Sequence, residues 1–227
     1  MKIGGIEKTT LLDFPSKIAC TVFLKGCNFR CPFCYSPELV FGTNKDIPLK
    51  EVFSFLEKRK NQLDGVVICG GEPTCSTDLP DFCQRIKNLQ YDIKLDTNGS
   101  NPKMLNSLIK EKLVDYVAMD IKAPKEKYQE VVGVDIDVDK IQESIDILKK
   151  DFVDYEFRTT FAPLLLEKED IKKIAKWISP AKKYFLQQFR AEKTLDPKFL
   201  TLKPHTDEEL KDVVREISLF FDICQVR

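Results

Sequence analysis

This sequence has almost no histidine, no net charge and no long apolar run. Its 227 residues include a single histidine, which disfavours a structural zinc site built on paired histidines. Lys and Arg total 36, as do Asp and Glu, and this balance argues against general nucleic-acid or anionic-membrane binding. No apolar stretch approaches the roughly 18 residues of a membrane-spanning helix, and no signal-peptide segment is evident. Eight cysteines in such a chain indicate reduced thiols or metal ligands, so we expect a cytoplasmic location.

The most informative feature that is present is a run of three cysteines, Cys27, Cys31 and Cys34, spaced CxxxCxxC. Three thiolates in one loop can hold three irons of a [4Fe–4S] cluster, whereas clusters that only carry electrons usually have four cysteine ligands. The fourth iron would stay open, which indicates chemistry at the cluster. A zinc site, or cysteines that are buried or disulfide-bonded, remain alternatives at this point. Gly26 allows the loop to turn tightly, and Phe33 can shield a cluster from water.

Short apolar runs alternate with amphipathic helical stretches along most of the chain. We predict strands at 18–24, 65–69, 92–95, 114–121, 155–161 and from 184 onward. We predict helices at 48–63, 79–89, 102–113, 137–150, 167–178 and 206–221. This alternation is typical of α/β proteins with parallel sheets.

Six βα units in a chain of this length predict a single domain folded as an incomplete (βα)6 barrel, because a closed (β/α)8 barrel needs about 250 residues. A doubly wound open sheet is the structural alternative. Within the one domain, 1–227, we assign 1–17 to an N-terminal extension and 18–189 to the barrel core. Residues 190–227 then form a polar loop and a closing C-terminal helix.

Unusual polar residues follow the C-terminal ends of the predicted strands, where parallel α/β folds bind ligands. They are Gly70, Gly71, Glu72, Pro73, Asp96, Thr97, Asn98, Asp120, Lys122, Arg158, Gln187 and Gln188. Taken singly, most have ordinary explanations, such as the glycine pair as a turn or Asp120 and Lys122 as a solvated pair. Arg158 lies within a buried strand and therefore needs an acidic partner or a ligand. Their convergence on one rim predicts a binding site.

The cysteine spacing, followed by Gly-Gly-Glu-Pro after the next strand, resembles the radical S-adenosylmethionine (SAM) superfamily. Further segments resemble the activating proteins of anaerobic ribonucleoside-triphosphate reductase, which are glycyl-radical enzyme activases. These segments are 6–17, 37–40, 96–100, 119–124, 156–160 and 187–189. The resemblance covers nearly the whole chain. Tyr35-Ser36 stands where such proteins commonly have His-Asn, and Ser16 where they commonly have Gly, but neither change removes a cluster ligand.

The resemblance implies that Cys27, Cys31 and Cys34 hold a [4Fe–4S] cluster whose open iron binds SAM. It implies that SAM is cleaved to methionine and a 5′-deoxyadenosyl radical, with the cofactors supplying the difficult chemistry. That radical would take a hydrogen atom from a backbone glycine of a partner, here expected to be anaerobic ribonucleotide reductase. A one-electron donor such as flavodoxin or ferredoxin is a second expected partner.

The resemblance also implies SAM contacts. Glu72 and nearby backbone carbonyls would accept from the SAM ammonium, while Lys122 and Arg158 would reach its carboxylate or ribose. The expected contacts to ribose, adenine and the rest of SAM are Phe33, Gly70, Gly71, Pro73, Asp96, Thr97, Asn98, Asp120, Gln187 and Gln188. Two carboxylates as close as Asp96 and Asp120 favour a shared counter-ion. The resemblance to activases implies that this counter-ion is a monovalent cation, and we expect its site here.

Two other functions remain open from the sequence alone. One is a radical SAM enzyme that acts on a small molecule, like 7-carboxy-7-deazaguanine synthase, and the other is a non-enzymatic metal-binding protein. Cys69, Cys75 and Cys83 are expected to be structural, although they could in principle bind a second cluster. For an activase, a lateral opening in the barrel would admit the partner's glycine loop, and residues 190–205 could cover that opening.

Overall fold

A computed structural model describes all residues, 1–227, as one eight-stranded sheet with helices on its outer face. The strands are β1 (Ile3–Thr10), β2 (Ala19–Leu24), β3 (Gly65–Gly70), β4 (Asp92–Thr97), β5 (Tyr116–Asp120), β6 (Asp154–Phe161), β7 (Ala181–Gln188) and β8 (Phe221–Val226). The α-helices are α1 (Pro37–Phe41), α2 (Leu49–Lys58), α3 (Leu79–Asn88), α4 (Pro102–Lys110), α5 (Tyr128–Val132), α6 (Val138–Lys149), α7 (Lys168–Ile178) and α8 (Asp207–Ile217). Not one of them combines the length and the apolar character that crossing a membrane requires.

The sheet is an open barrel whose strands follow chain order. Each strand pairs with the next one, from β1 to β8, and no pairing joins β8 back to β1. Strands β2 to β7 are the six predicted ones, and all pairs among them are parallel. The incomplete (βα)6 barrel is therefore confirmed. The doubly wound alternative is wrong, since its strand order would reverse within the sheet.

The structure adds one strand at each edge of the predicted six. β1 runs antiparallel to β2, and β8 runs parallel to β7. We assigned β1 to an extension because Gly4-Gly5 and the charged residues after it give no clear alternation. The last helix ends at Ile217 rather than Phe221. Leu219 and Phe220 continue its apolar spacing, which hid the start of β8.

The hydrophobic core lies between the sheet and the surrounding helices. It contains 54 buried residues, whereas the apolar cluster inside the barrel contains only four, Phe14, Ala19, Val67 and Tyr116. In β3, for example, Val66 faces outward into the core while Val67 faces inward, as the alternation of a strand requires. Because the outer layer holds most of the buried apolar area, the inner face is free to carry polar groups.

Residues 11–17 close the lower end of the barrel, where the parallel strands begin. The Phe14 ring lies under Gly65, at which an added Cβ would meet the ring at 2.8 Å. Asp13 accepts a hydrogen bond from the Thr21 hydroxyl at 2.9 Å. The ammonium of Lys17 lies 5.6 Å from the centre of the Phe14 ring. The segment 1–17 thus forms an edge strand and then covers one end of the barrel. A ligand must enter from the opposite end, where the parallel strands finish.

Candidate functional site

The cysteine loop leaves β2 at that C-terminal end and is held by its own backbone. Gly26 has a φ of +92°, which a residue with a side chain rarely adopts. The guanidinium of Arg30 donates to the carbonyls of Cys27 and Phe29, at 2.6 and 2.7 Å. The Arg30 amide donates to the carbonyl of Val132 at 2.8 Å, which joins the loop to α5. Backbone bonds and the Arg30 side chain therefore hold most of the loop, and one further bond, from the Phe29 amide to Cys27 Sγ at 3.4 Å, involves a thiol.

The three thiols of this loop suit a cluster better than a single ion. Burial raises the pKa of Cys27 to about 12 and that of Cys31 to about 11, so iron must displace their protons on binding. No three His, Cys, Asp or Glu side chains of the protein converge on a point that could hold one metal ion. A zinc ion needs such convergence, whereas each ligand of an iron–sulfur cube meets a different iron. The donor set fits a [4Fe–4S] cluster.

The Gly70-Gly71 turn packs directly against the chain that enters the cysteine loop. Gly71 donates its amide to the carbonyl of Leu24, and Glu72 donates its own to the carbonyl of Gly26, both at 2.8 Å. A Cβ on Gly71 would lie 2.0 Å from the Gly26 carbonyl oxygen, and one on Gly70 would lie 2.2 Å from that of Leu24. Both glycines are therefore required for close approach as well as for the turn, and they set the turn beside the cysteine loop.

Glu72 is a buried clamp between two turns. Its side chain is only 2% exposed. Oε1 accepts hydrogen bonds from the amide and hydroxyl of Thr74, at 3.0 and 2.5 Å, and from the Thr97 hydroxyl at 2.7 Å. Oε2 accepts one from the Asn98 amide at 2.6 Å. Burial raises the pKa of Glu72, and this effect outweighs the hydrogen bonds, which lower it. Oε1 already accepts three hydrogen bonds, so only Oε2 can accept another.

Replacing Glu72 by glutamine should destabilise the fold, because the new NH2 would face donors of Thr74, Thr97 or Asn98. Leaving buried donors unpaired costs about 1–3 kcal/mol each, so we expect a loss of roughly 2 kcal/mol in the free energy of unfolding. Urea unfolding of the metal-free protein measures it. Glu57→Gln, at an exposed position of α2, is the matched control. Equal stabilities of the two variants would show that Glu72 is not a clamp.

Five charged side chains form one network on the inner face of the barrel. Arg158 in β6 donates through Nε to Asp120 Oδ1 at 3.0 Å and through Nη1 to Asp96 Oδ2 at 3.1 Å. Lys122 pairs with Asp120 Oδ2 at 2.9 Å, and Lys94 pairs with Asp96 Oδ1. Arg158 thus has the acidic partners that its buried strand required, and all four carboxylate oxygens are engaged.

This network fixes the charge state of its members. Burial alone would raise the pKa of Asp120, but the charges of Arg158 and Lys122 outweigh it and lower the pKa to about 2. The pKa of Asp96 also lies below its ordinary value, because Arg158 and Lys94 outweigh burial. In the same way the carboxylates raise the pKa of Lys122 and of Arg158. Three cations therefore face two carboxylates, which leaves one positive charge in excess.

The lowered pKa of Asp120 predicts a loss of stability in acid. A group whose pKa falls on folding stabilises the native state above its unfolded pKa of 3.8, and this contribution disappears as the pH drops through about 2. The contribution is roughly 2 kcal/mol. We expect the free energy of unfolding to fall less steeply for Asp120→Asn than for the wild type as the pH is lowered from 5 to 2. Only the buffer changes between these measurements. The exposed control Asp81→Asn should keep the wild-type slope, and identical slopes in all three would contradict the assignment.

The structure brings most of the predicted residues to one rim and separates one of them. Gln187 pairs in register with Thr160, two residues after Arg158, and so shares the inner face with it. Gln188 points elsewhere, since its amide donates to the carbonyl of His205 at 2.6 Å and accepts from the Phe189 amide. Phe33 is buried beside the cysteines and Pro73 is buried in the turn.

Sequence reasoning missed two contributors to the rim. Asn28 accepts from the side-chain amide of Asn98 at 2.9 Å and donates to Ser100 at 2.8 Å, which ties the cysteine loop to the end of β4. Lys94 is 1% exposed and holds Asp96. The signal for Lys94 was present, because a lysine two residues before Asp96 in an apolar strand must share its face. Asn28, inside the cysteine motif, gave no such signal.

Residues 190–205 cross from the end of β7 to the cysteine loop. The amide of Asp196 donates to the carbonyl of Pro32 at 2.9 Å, and Lys193 pairs with Glu38 at 2.6 Å. Phe199 is buried against Phe189, with ring centres 6.2 Å apart. The segment therefore lies at the mouth of the site.

The remaining five cysteines, Cys20, Cys69, Cys75, Cys83 and Cys224, form no disulfide with one another or with the cysteine loop. Cys20 and Cys83 are buried in the outer core, while Cys69 packs against the small inner cluster. Cys75 is exposed after the Gly-Gly-Glu-Pro turn. All eight cysteines, those of the cysteine loop included, have free thiols.

Comparison with known proteins agrees with this arrangement. A family model described as the radical SAM superfamily matches residues 21–181. A protein of Methanocaldococcus jannaschii, named "Putative glycyl-radical enzyme activating enzyme", is 33% identical over 230 residues, which are 99% of this chain and 95% of that protein. The 7-carboxy-7-deazaguanine synthase of Aquifex aeolicus is 32% identical over 77 residues, 34% of each chain.

Among solved structures, SuiB of Streptococcus suis bound to its precursor peptide SuiA has a similar fold, with a TM-score of 0.70 at 14% identity. The match covers 91% of this chain and 48% of SuiB, so the chain spans about half of that protein. The family model covers more than half of the chain, and the archaeal relative matches along almost all of it. The chain is therefore an enzyme that belongs to the radical SAM superfamily.

Proposed function

We propose that this enzyme generates a glycyl radical on a partner protein, and that the partner is an anaerobic ribonucleotide reductase. The observation that carries the proposal is the full-length similarity to the archaeal protein named as a glycyl-radical enzyme activating enzyme. Similarity to 7-carboxy-7-deazaguanine synthase, the small-molecule alternative, covers only a third of either chain.

Membership of the family implies a [4Fe–4S] cluster and SAM. With Cys27, Cys31 and Cys34 as its ligands, a [4Fe–4S] cluster would supply the electron that splits SAM into methionine and a 5′-deoxyadenosyl radical. We propose that this radical takes a hydrogen atom from Cα of a partner glycine, giving 5′-deoxyadenosine and a glycyl radical. Electrons and atoms then balance with one external electron per turnover, for which flavodoxin or ferredoxin is the proposed donor. An oxygen-sensitive cluster and reduced thiols support a cytoplasmic location.

We assign the residues of the rim to parts of SAM by charge. The excess positive charge at Lys122 and Arg158 suits the methionine carboxylate. Carbonyls of the Gly70-Gly71 turn, with Oε2 of Glu72, suit the ammonium. Asp96 and Asp120 contribute as positioning residues, because their oxygens already accept from the side chains of Lys94, Lys122 and Arg158.

The other predicted contacts stay in the proposal with narrower roles. Gln187 faces the interior of the barrel and is assigned to adenine, together with Phe33 beside the cysteines. Gln188 is assigned to the segment 190–205 rather than to SAM, because its amide bonds to His205. Thr97 and Asn98 act through Glu72, to which both donate.

The open edge of the barrel supports access for a large partner. The sheet leaves β1 and β8 unjoined, so a glycine on a flexible loop can approach the inner face from the side. Residues 190–205 lie at the same mouth and touch the cysteine loop through Asp196 and Pro32. We propose that the partner's loop enters beside this segment.

The test is an anaerobic activation assay with purified reductase. Reconstituted enzyme, SAM and dithionite should yield 5′-deoxyadenosine, and added reductase should develop a glycyl-radical doublet in the EPR spectrum. Reductase whose radical-bearing glycine is replaced by alanine is the matched control and should give no doublet. Deoxyadenosine without any protein radical would instead favour a small-molecule substrate and contradict the proposal.

A further inference from the structure

The resemblance to activases predicted a monovalent cation at Asp96 and Asp120, and the residues present do not fit one. A hard cation needs several oxygen ligands with free lone pairs directed at it. Each oxygen of the two carboxylates already accepts from a cationic side chain: Lys94 and Arg158 on Asp96, and Arg158 and Lys122 on Asp120. A metal cation could therefore use only the second lone pair of each oxygen, directly beside a positively charged side chain. No group of three His, Cys, Asp or Glu side chains converges at this place.

The charge balance argues in the same direction. Three cationic side chains face two carboxylates, so the network carries one excess positive charge before any ligand binds. SAM adds a sulfonium and an ammonium against one carboxylate. A further metal cation at Asp96 and Asp120 would lie beside Lys94, Arg158 and Lys122, whose charges repel it at distances where water screens little.

We propose that Lys94, with Arg158 and Lys122, supplies the counter-charge that Asp96 and Asp120 need, so that SAM binding requires no monovalent cation. Lys94 is the distinctive member. It is a positioning residue, since its side chain lies beneath the rim, is 1% exposed, and has Asp96 as its only ion-pair partner. Lys94 orients Asp96, Asp96 orients Arg158, and Arg158 faces the SAM carboxylate.

The inference rests on the SAM site of the proposed function but not on the identity of the partner protein. SAM affinity of the cluster-loaded wild type is measured by calorimetry in potassium, sodium and tetramethylammonium chloride of equal ionic strength. Tetramethylammonium is too large for an oxygen-lined cation site. We expect affinities within about twofold of one another, because screening is the same in all three salts. An affinity at least tenfold weaker in tetramethylammonium, restored saturably by potassium, would overturn the inference.

Lys94→Met provides the second arm, because it vacates Asp96 Oδ1 and removes one positive charge. In tetramethylammonium its SAM affinity should fall by about tenfold, and potassium should restore part of the loss. Its thermal midpoint without SAM should also rise with potassium relative to tetramethylammonium, whereas the wild-type midpoint should not. A merely structural lysine would lower the midpoint equally in both salts, and that result would overturn the role given to Lys94.

The matched control is Lys87→Met, which removes a lysine paired with Asp115 at 2.9 Å outside the network. It should bind SAM like the wild type in every salt, and cation dependence in this variant would count against the inference. If Lys94→Met does not fold, the wild-type comparison decides the cation question alone. Cation-independent SAM binding without a glycyl radical on the reductase would contradict only the proposed function.

Discussion

Replacing Cys31 by alanine is expected to abolish the formation of 5′-deoxyadenosine and to lower the iron content of reconstituted protein. Cys31 is buried in the cysteine loop. The variant would keep only two of the three cysteine ligands that the cluster needs, Cys27 and Cys34. Replacing a residue that hydrogen-bonds to a metal ligand typically lowers metal affinity or activity by roughly 10- to 100-fold. Loss of a ligand itself should lower them by more. Iron analysis and chromatography of the products, both under anaerobic conditions, measure the two effects.

Cys83→Ala is the control for this experiment. Cys83 is also fully buried, but it lies on α3 in the outer core, away from the cysteine loop. It should keep about four irons per chain and wild-type cleavage of SAM, at a stability cost of about 1 kcal/mol. If Cys31→Ala kept its iron while Cys83→Ala lost it, the cluster would lie elsewhere.

Arg158→Met is expected to destabilise the protein strongly and to weaken SAM binding. The side chain is the only one that bridges Asp96 and Asp120, and its removal leaves both carboxylates short of a partner inside the barrel. Removing one partner of a buried ion pair typically costs about 3–5 kcal/mol. Urea unfolding of the metal-free protein and calorimetric titration of SAM into the reconstituted protein give the two values.

Two further variants separate charge from geometry. Arg158→Lys keeps the charge but cannot donate to both carboxylates as a fork, so its stability should lie between those of Arg158→Met and the wild type. Arg215→Met removes an arginine whose side chain is 72% exposed and should stay within about 0.5 kcal/mol of wild type. A stability for Arg158→Met equal to that of Arg215→Met would mean that the network does not support the barrel.

The sequence predicted the six central strands because each contains a short apolar run or an apolar alternation, and amphipathic helices separate them. Strands buried on both faces carry that signal strongly. β1 and β8 were missed because edge strands are covered less completely, so selection for apolar residues is weaker. Gly4 and Gly5 in β1 obscure its alternation, and the residues before β8 extend the spacing of α8.

The site was predicted in outline but not in its internal contacts. Parallel strands bring their C-terminal ends to one rim, so the positions of Asp96, Asp120 and Arg158 could be predicted from the strands alone. Which oxygen accepts from which donor depends on side-chain directions in three dimensions. The engagement of Glu72 by Thr74 and the burial of Lys94 therefore appeared only in the structure.

The proposed chemistry requires that the three cysteines leave one iron of the cluster open for SAM. EPR spectra of the reduced, anaerobically reconstituted protein, recorded with and without SAM, test it most directly. We predict a [4Fe–4S] signal whose g-values shift when SAM is added, with deoxyadenosine accumulating on warming. An unchanged spectrum with no deoxyadenosine, at about four irons per chain, would contradict the account.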